Sequence, residues 1–285
     1  MQHPTTDSPE MAATSQPESH LIRHSRALMG VECIIAIDAD DAALARRAAE
    51  AAFSRIAALE SVLSDYQHNS EINRITRSTA GVVHIISNDL AHALARSLEL
   101  THETNGAFDV THGRVYHLWR AARRSGAIPT QEAIAEALAH GGWKHLQFDH
   151  AQREITCLID NMQLDFGGIG KGFAADEAMI VLKQHGYPRA LIDLGGDIAV
   201  GDPPRAQSGW RIVTENGEAH TLHNCGIATS GDTQQFMIVD GRRLSHIIDP
   251  RSGWPVANGK NVTVIAHDAT TADARASAAA VHGAQ

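Results

Sequence analysis

The chain has 285 residues, 43% hydrophobic and 20% charged, the composition of a globular protein that can bury one large core or two smaller ones. Its formal net charge is −9 and no basic block offsets it, which argues against nucleic acid as a partner. Cys33, Cys157 and Cys225 lie far apart in or beside apolar runs, so the pattern excludes a disulfide framework or a CxxC metal site and predicts buried thiols in a reducing compartment.

The opening MQHPTTDSPEMAATSQPESH has no apolar segment and no lipid-attachment cysteine, and no later run is long enough to span a bilayer. Residues 1–24 are expected to be a disordered tail, 25–285 a single folded unit, and the protein cytoplasmic. The 18 histidines stand mostly alone at polar positions and read as surface residues.

The apolar half of RALMGVECIIAID, Arg26–Asp38, predicts a strand entered through Met29-Gly30. Asp40 or Asp41 then offers an N-cap to an amphipathic helix ending near Ser64, with Ala45, Ala49, Ala52, Ile56, Leu59 and Leu63 on its inner face. The next segment, LSDYQHNSEINRI, is polar, with Tyr66 as its one aromatic. Val82–Ile86 predicts a short strand, Ser87 caps a second helix, and Asn105-Gly106 stops it. In the GAFDVT that follows, Asp109 must either cap a turn or hold a ligand, because a buried acid needs partners. A third helix runs from Thr130 to Gly141-Gly142, and strands follow at His145–Phe148 and Glu154–Cys157.

The centre of the chain is LDFGGIGKGFAAD, Leu164–Asp176. It predicts a strand (MQLDF), a turn crowded with Gly167, Gly168, Gly170 and Gly172, and a helix to Gln184. Glycines permit positive φ and close approach, the first amides of a helix suit an anion, and Lys171 adds positive charge. A single lysine is thin cover for a pyrophosphate in an acidic protein, so a divalent cation is the natural supplement. Walker A fails, because Gly172 follows Lys171 where Ser or Thr is required. A Rossmann fingerprint fits in part, as Gly170-x-Gly172-x-x-Ala175 with Asp193 at the end of ALIDL, which keeps a nicotinamide dehydrogenase open.

Beyond it, Ala190–Leu194 is a strand, Trp210–Val213 and Ala219–Leu222 form a hairpin about Asn216-Gly217, and GIATSG leads to strands at Phe236–Val239 and Leu244–Asp249 joined by Asp240-Gly241. A strand at Asn261–Ala266 and an alanine-rich helix at Thr270–Val281 close the chain. Asp273 and Ser277 stand one turn apart on that helix, where they are either hard oxygen ligands or a dipole-favoured acid and a small packing residue.

Met29-Gly30, LSDYQHNSEINRI, GAFDVT, DFGGIGKGFAAD, HIIDPRSGWPV and NVTVIAHDATTADARAS, in that order, resemble the ApbE family of FAD:protein FMN transferases over about 25–283. The resemblance implies an α+β, T-fold-like enzyme with largely antiparallel sheets. It would bind FAD and Mg2+ and move FMN onto a threonine or serine of a client flavoprotein, releasing AMP. It implies that Met29 and Tyr66 meet the flavin, that Ala107, Phe108, Asp109, Asp165 and Lys171 line the nucleotide, and that His246 and Ile248 sit by the phosphates and flavin. Gly168, Asp273 and Ser277 would hold the metal. His246, whose ordinary pKa lies near neutrality, is the expected base, with Asp273 the second catalytic residue.

The chain departs from the family pattern at Val31, at Ser277 and at Asp232-Thr233-Gln234-Gln235, and it stops soon after the last helix. A weak FAD-binding module and an FAD pyrophosphatase are therefore the alternative functions.

Overall fold

The computed structural model describes residues 20–214, 217–231, 236–239, 242–256 and 261–283. The expected tail up to residue 19, the turn residues Asn216, Asp240 and Gly241, and Asp232-Thr233-Gln234-Gln235 lie outside the described residues. In chain order the elements are β1 (Leu21–Leu28), β2 (Val31–Asp38), α1 (Ala42–Leu63), α2 (Glu71–Thr76), β3 (Val83–Ile85), α3 (Asn88–Glu103), α4 (Gly113–Ser125), α5 (Gln131–Ala139), β4 (Leu146–Asp149), β5 (Glu154–Cys157) and α6 (Gly170–Gln184). Then follow β6 (Ala190–Leu194), β7 (Asp197–Val200), β8 (Trp210–Val213), β9 (Ala219–Leu222), β10 (Cys225–Ser230), β11 (Phe236–Val239), β12 (Arg242–Ser245), β13 (Ile248–Asp249), β14 (Trp254–Pro255), β15 (Val262–Ala266) and α7 (Ala269–His282).

The fold is α+β, and its main sheet has the order β1-β2-β6-β7-β10-β15 with every pair antiparallel. That pairing disposes of the Rossmann alternative, which needs parallel strands joined by helical crossovers. Cys33, Ile35 and Ile37 of β2 and Ala190, Ile192 and Leu194 of β6 alternate onto the face covered by α1 and α6. The other face, with Ala36, Ile198, Val200 and Ile227, is closed by Trp210 and Ile212 of the β8–β9 hairpin. No helix among the described residues is long and apolar enough to cross a membrane.

The caps of α1, α3 and α5 are Asp41, Ser87 and Thr130, each accepting from amides of its helix's first turn. Elsewhere the structure corrects the sequence reading. β1 begins at Leu21, inside the stretch expected to be tail, because Leu21–Leu28 pairs residue for residue with β2. Met29 (φ 51°) and Gly30 (φ 76°) are thus the two central residues of a tight hairpin, both in the left-handed region that a primed turn demands. MQLDF is no ladder strand; it makes one isolated bridge, Gln163 to His112, and Asp165 N–H donates to the Val110 carbonyl at 2.8 Å. Two helices went unforeseen. α2 hides in a polar stretch that buries only Ile72 and Ile75, and α4 buries Val115, Trp119 and Ala122 beneath several arginines.

Candidate active site around the glycine turn

The glycines of the turn act through closeness rather than left-handed backbone, since none of Gly167, Gly168, Gly170 and Gly172 has positive φ. A Cβ on Gly172 would stand 2.3 Å from the Ala269 carbonyl oxygen, so α7 crosses α6 in direct backbone contact there. A Cβ on Gly168 would stand 3.0 Å from Ser277 Oγ and 3.5 Å from the Phe108 ring, and one on Gly170 would stand 3.7 Å from Met29 Cε. Met29, Phe108, Gly168 and Ser277, far apart in sequence, therefore meet at one turn.

The start of α6 is less open to an anion than its sequence suggested. Gly170 N–H donates to the Phe166 carbonyl at 2.7 Å, and Gly172 N–H to Asp273 Oδ2 at 3.1 Å. Lys171 Nζ is paired with buried Asp197, an acid on β7 that sequence reasoning missed. An acid opening the short apolar strand DIAV directly after Gly195-Gly196 was the available signal. Burial pushes the Asp273 carboxyl up to about 7, with repulsion from Asp197 adding to it. Burial opposes the charge on Lys171, but Asp273 and Asp197 outweigh it and hold the ammonium above its ordinary range. Two buried acids thus share one ammonium. A carboxylate, a hydroxyl and a glycine backbone around an unbalanced negative charge form a hard-oxygen donor set that fits a divalent cation such as Mg2+.

A second group lies at the mouth of the turn, where Asp65, His117 and Arg120, which sequence reasoning missed, gather about the expected Tyr66 and Asp165. Arg120 of α4 bridges Asp65 and Asp165, the latter at 2.5 Å, and its guanidinium carbon lies 4.9 Å from the Tyr66 ring centroid. His117 Nε2 is 2.7 Å from Asp65 Oδ2. Asp65, His117 and Asp165 are close enough to share a metal ion, and the Arg120 guanidinium occupies one oxygen of each of the two carboxylates. Burial raises the Asp165 carboxyl despite Arg120. Tyr66 itself is 77% exposed, one side on Arg120.

The other expected residues are already engaged by the protein or partly buried in it. Asp109, 2% exposed, spends its carboxylate on Thr111 (N–H at 2.9 Å, hydroxyl at 2.6 Å) and on Trp143 N–H at 3.3 Å, which is the capping role. Asp165 likewise accepts from Gly167 N–H at 2.7 Å and from Arg120. Ile248 is not at an open surface. It is buried with Val115, Trp119 and Ile134, against α4 and α5. His246 is half-buried between β12 and β13, in a segment pinned where Val256 N–H donates to the Ile247 carbonyl at 2.9 Å. Ala107 is buried beside Phe108.

The ApbE family model matches residues 29–285. The chain belongs to the ApbE family. A curated ApbE relative from Haemophilus influenzae, named FAD:protein FMN transferase, is 31% identical over 226 residues, which span 74% of this chain and 65% of the relative. The chain thus spans slightly under two thirds of that relative's length. The ApbE protein of Thermotoga maritima superposes with a TM-score of 0.83 at 27% identity, over 93% of this chain and 88% of that one. The flavinyl transferase ApbE of Pseudomonas stutzeri does so at 0.80 and 27%, over 90% and 83%. This ApbE-family chain shares their mixed helices and antiparallel sheet.

Proposed function

We propose that the chain is a Mg2+-dependent FAD:protein FMN transferase that moves the FMN half of FAD onto a threonine or serine hydroxyl of a client flavoprotein and releases AMP. The observation that carries the reading is the meeting of Lys171, Asp197 and Asp273 at the start of α6, with Ser277 against Gly168, in a chain whose relatives bear that enzyme name.

In the reaction, the acceptor oxygen bonds to the FMN phosphorus, the bond from that phosphorus to the bridging oxygen breaks, and AMP leaves with the bridging oxygen. A bound divalent cation supplies charge neutralisation at the pyrophosphate. Asp273, Ser277 and the backbone at Gly168 would hold it. Lys171, kept protonated by its two acids, contributes a further positive charge for the phosphates. Met29 and the exposed ring of Tyr66 would offer apolar surface to the flavin, and the Phe108 ring lies against the turn at Gly168. Asp109 and Asp165, held in place by Thr111, Trp143, Gly167 and Arg120, would line the nucleotide. An imidazole nitrogen of His246 would take the acceptor proton.

The test is incubation with FAD, Mg2+ and a client carrying an acceptor hydroxyl. The client should become covalently fluorescent and AMP should appear, and excess EDTA should stop both. AMP without a labelled client would make the protein an FAD pyrophosphatase, and bound FAD with neither product would make it a binding module.

A further inference from the structure

Helices α6 and α7 cap each other. Asp176, in the second turn of α6, accepts from Ala269 N–H at 3.0 Å, from Thr270 N–H at 2.8 Å and from the Thr270 hydroxyl at 2.5 Å. Asp268 accepts from Thr271 N–H at 2.6 Å, so carboxylates take the first amides of α7, which no intrahelical carbonyl can reach. In return Asp273 of α7 takes the Gly172 N–H of α6. The crossing is closed from both sides. A Cβ on Gly172 would meet the Ala269 carbonyl oxygen at 2.3 Å, and one on Gly226 of β10 would meet Ala269 N at 2.2 Å.

Asp273 and Ser277 follow on the same rigid helix, so the angle and rise at which α7 starts fix where both stand relative to Gly168 and Lys171. Asp176 is the side chain of α6 that fixes that start. We propose that Asp176 is a positioning residue for the divalent-cation site, setting cation affinity without touching the cation. The inference rests on Asp273 and Ser277 being cation ligands, as given under Proposed function. An Asn at this position keeps the shape but turns an N–H toward an N–H and removes the charge that favours the positive end of α7. Thr270→Val removes only the hydroxyl donor and leaves both amide bonds.

The experiment is titration of the full chain with Mn2+ as the probe, reading free Mn2+ by electron paramagnetic resonance, alongside FAD binding in EDTA read by flavin fluorescence. Asp176→Asn should weaken Mn2+ binding about tenfold and Thr270→Val about threefold. In both variants FAD binding in EDTA should stay within about twofold of the parent, a readout that general loosening of the fold would not spare. Asp273→Ala is the control for the underlying reading. If it binds Mn2+ like the parent, the cation site itself is wrong. If it loses Mn2+ while Asp176→Asn does not, the positioning role alone is overturned, as it is if Asp176→Asn loses Mn2+ and metal-free FAD binding equally. Should Asp176→Asn fail to fold, an unchanged Mn2+ affinity in Thr270→Val overturns the proposal and a weakened one upholds it.

Discussion

Asp273 and Gly172 lie 101 residues apart in sequence, yet the Asp273 carboxylate accepts the Gly172 N–H at 3.1 Å across the crossing of α7 and α6. The bond exists only because Gly172 has no side chain. Gly172→Ala would drive a methyl group to 2.3 Å from a backbone oxygen that cannot rotate away, and the helices must separate. The expected loss is about 3 kcal/mol, at the upper end for an added methyl group, read as a fall in the urea midpoint with an unchanged slope. Mg2+ dependence should worsen with it.

Ser277 tests the proposed cation site. Serine and threonine carry the same hydroxyl, but threonine is stiffer at χ1, so Ser277→Thr should leave Mg2+ affinity unchanged or slightly higher. Ser277→Ala should weaken it, and Asp273→Asn should weaken it more, because a carboxylate gives Mg2+ far more than a hydroxyl does. Calorimetric Mg2+ titration of the three variants in the presence of FAD gives the order. A parent-like Ser277→Ala would make Ser277 a packing residue only.

Arg120 spans two carboxylates, and removing it takes the guanidinium from both. Arg120→Ala should cost about 3 kcal/mol of stability, since Asp65 keeps only His117 and buried Asp165 only the Gly167 N–H. Arg120→Lys should restore little, because one ammonium cannot reproduce a planar fork with a carboxylate at each prong and an aromatic ring against its face. Thermal unfolding measures the first effect. Loss of flavin-fluorescence quenching measures what the Tyr66 surface loses without its support.

Arg55 of α1 holds Asp89 of α3 at 2.6 Å and Glu177 of α6 at 2.6 Å, joining three helices. The Arg55 hydrogen bonds hold the Asp89 carboxyl below its ordinary 3.8 against the pull of desolvation. A depressed folded pKa means that this stabilisation is present above about pH 4 and is lost as pH falls through the lower folded value. Arg55→Ala should therefore cost about 1–3 kcal/mol at pH 7 and progressively less below pH 4. Urea midpoints of parent and variant at pH 7 and pH 3.5 should converge toward the acid end, and a constant gap would show that packing of the Arg55 stem carries the effect.

Local chemistry was legible in the sequence wherever one residue decides an element. Asp41, Ser87 and Thr130 announced their helices because a short polar side chain is what the free amides require. The hairpin of Trp210–Val213 and Ala219–Leu222 was legible from alternation, and its strands pair as read. What stayed hidden depended on partners distant in the chain. Asp197 looks like a loop acid until Lys171 is folded over it, and Asp176 looks like an ordinary helix-surface acid until α7 begins against it. α4 was obscured because Arg120, polar in sequence, serves a largely buried ion network. The glycine turn was located correctly for a reason that needed revision. Its glycines admit α7 and Ser277 rather than supply positive φ.

The proposed transfer of a flavin-bearing phosphoryl group from FAD to a protein hydroxyl at this glycine turn is tested most directly by following both products of one turnover. A client with a single acceptor threonine is incubated with FAD, Mg2+ and either the parent chain or Asp273→Asn, and intact-mass spectrometry of the client is paired with quantified AMP. The client should become heavier by FMN less water, with one AMP released for each client modified, and neither product should form with Asp273→Asn at limiting Mg2+. AMP in excess over modified client, or modification that proceeds equally well with Asp273→Asn, would contradict it.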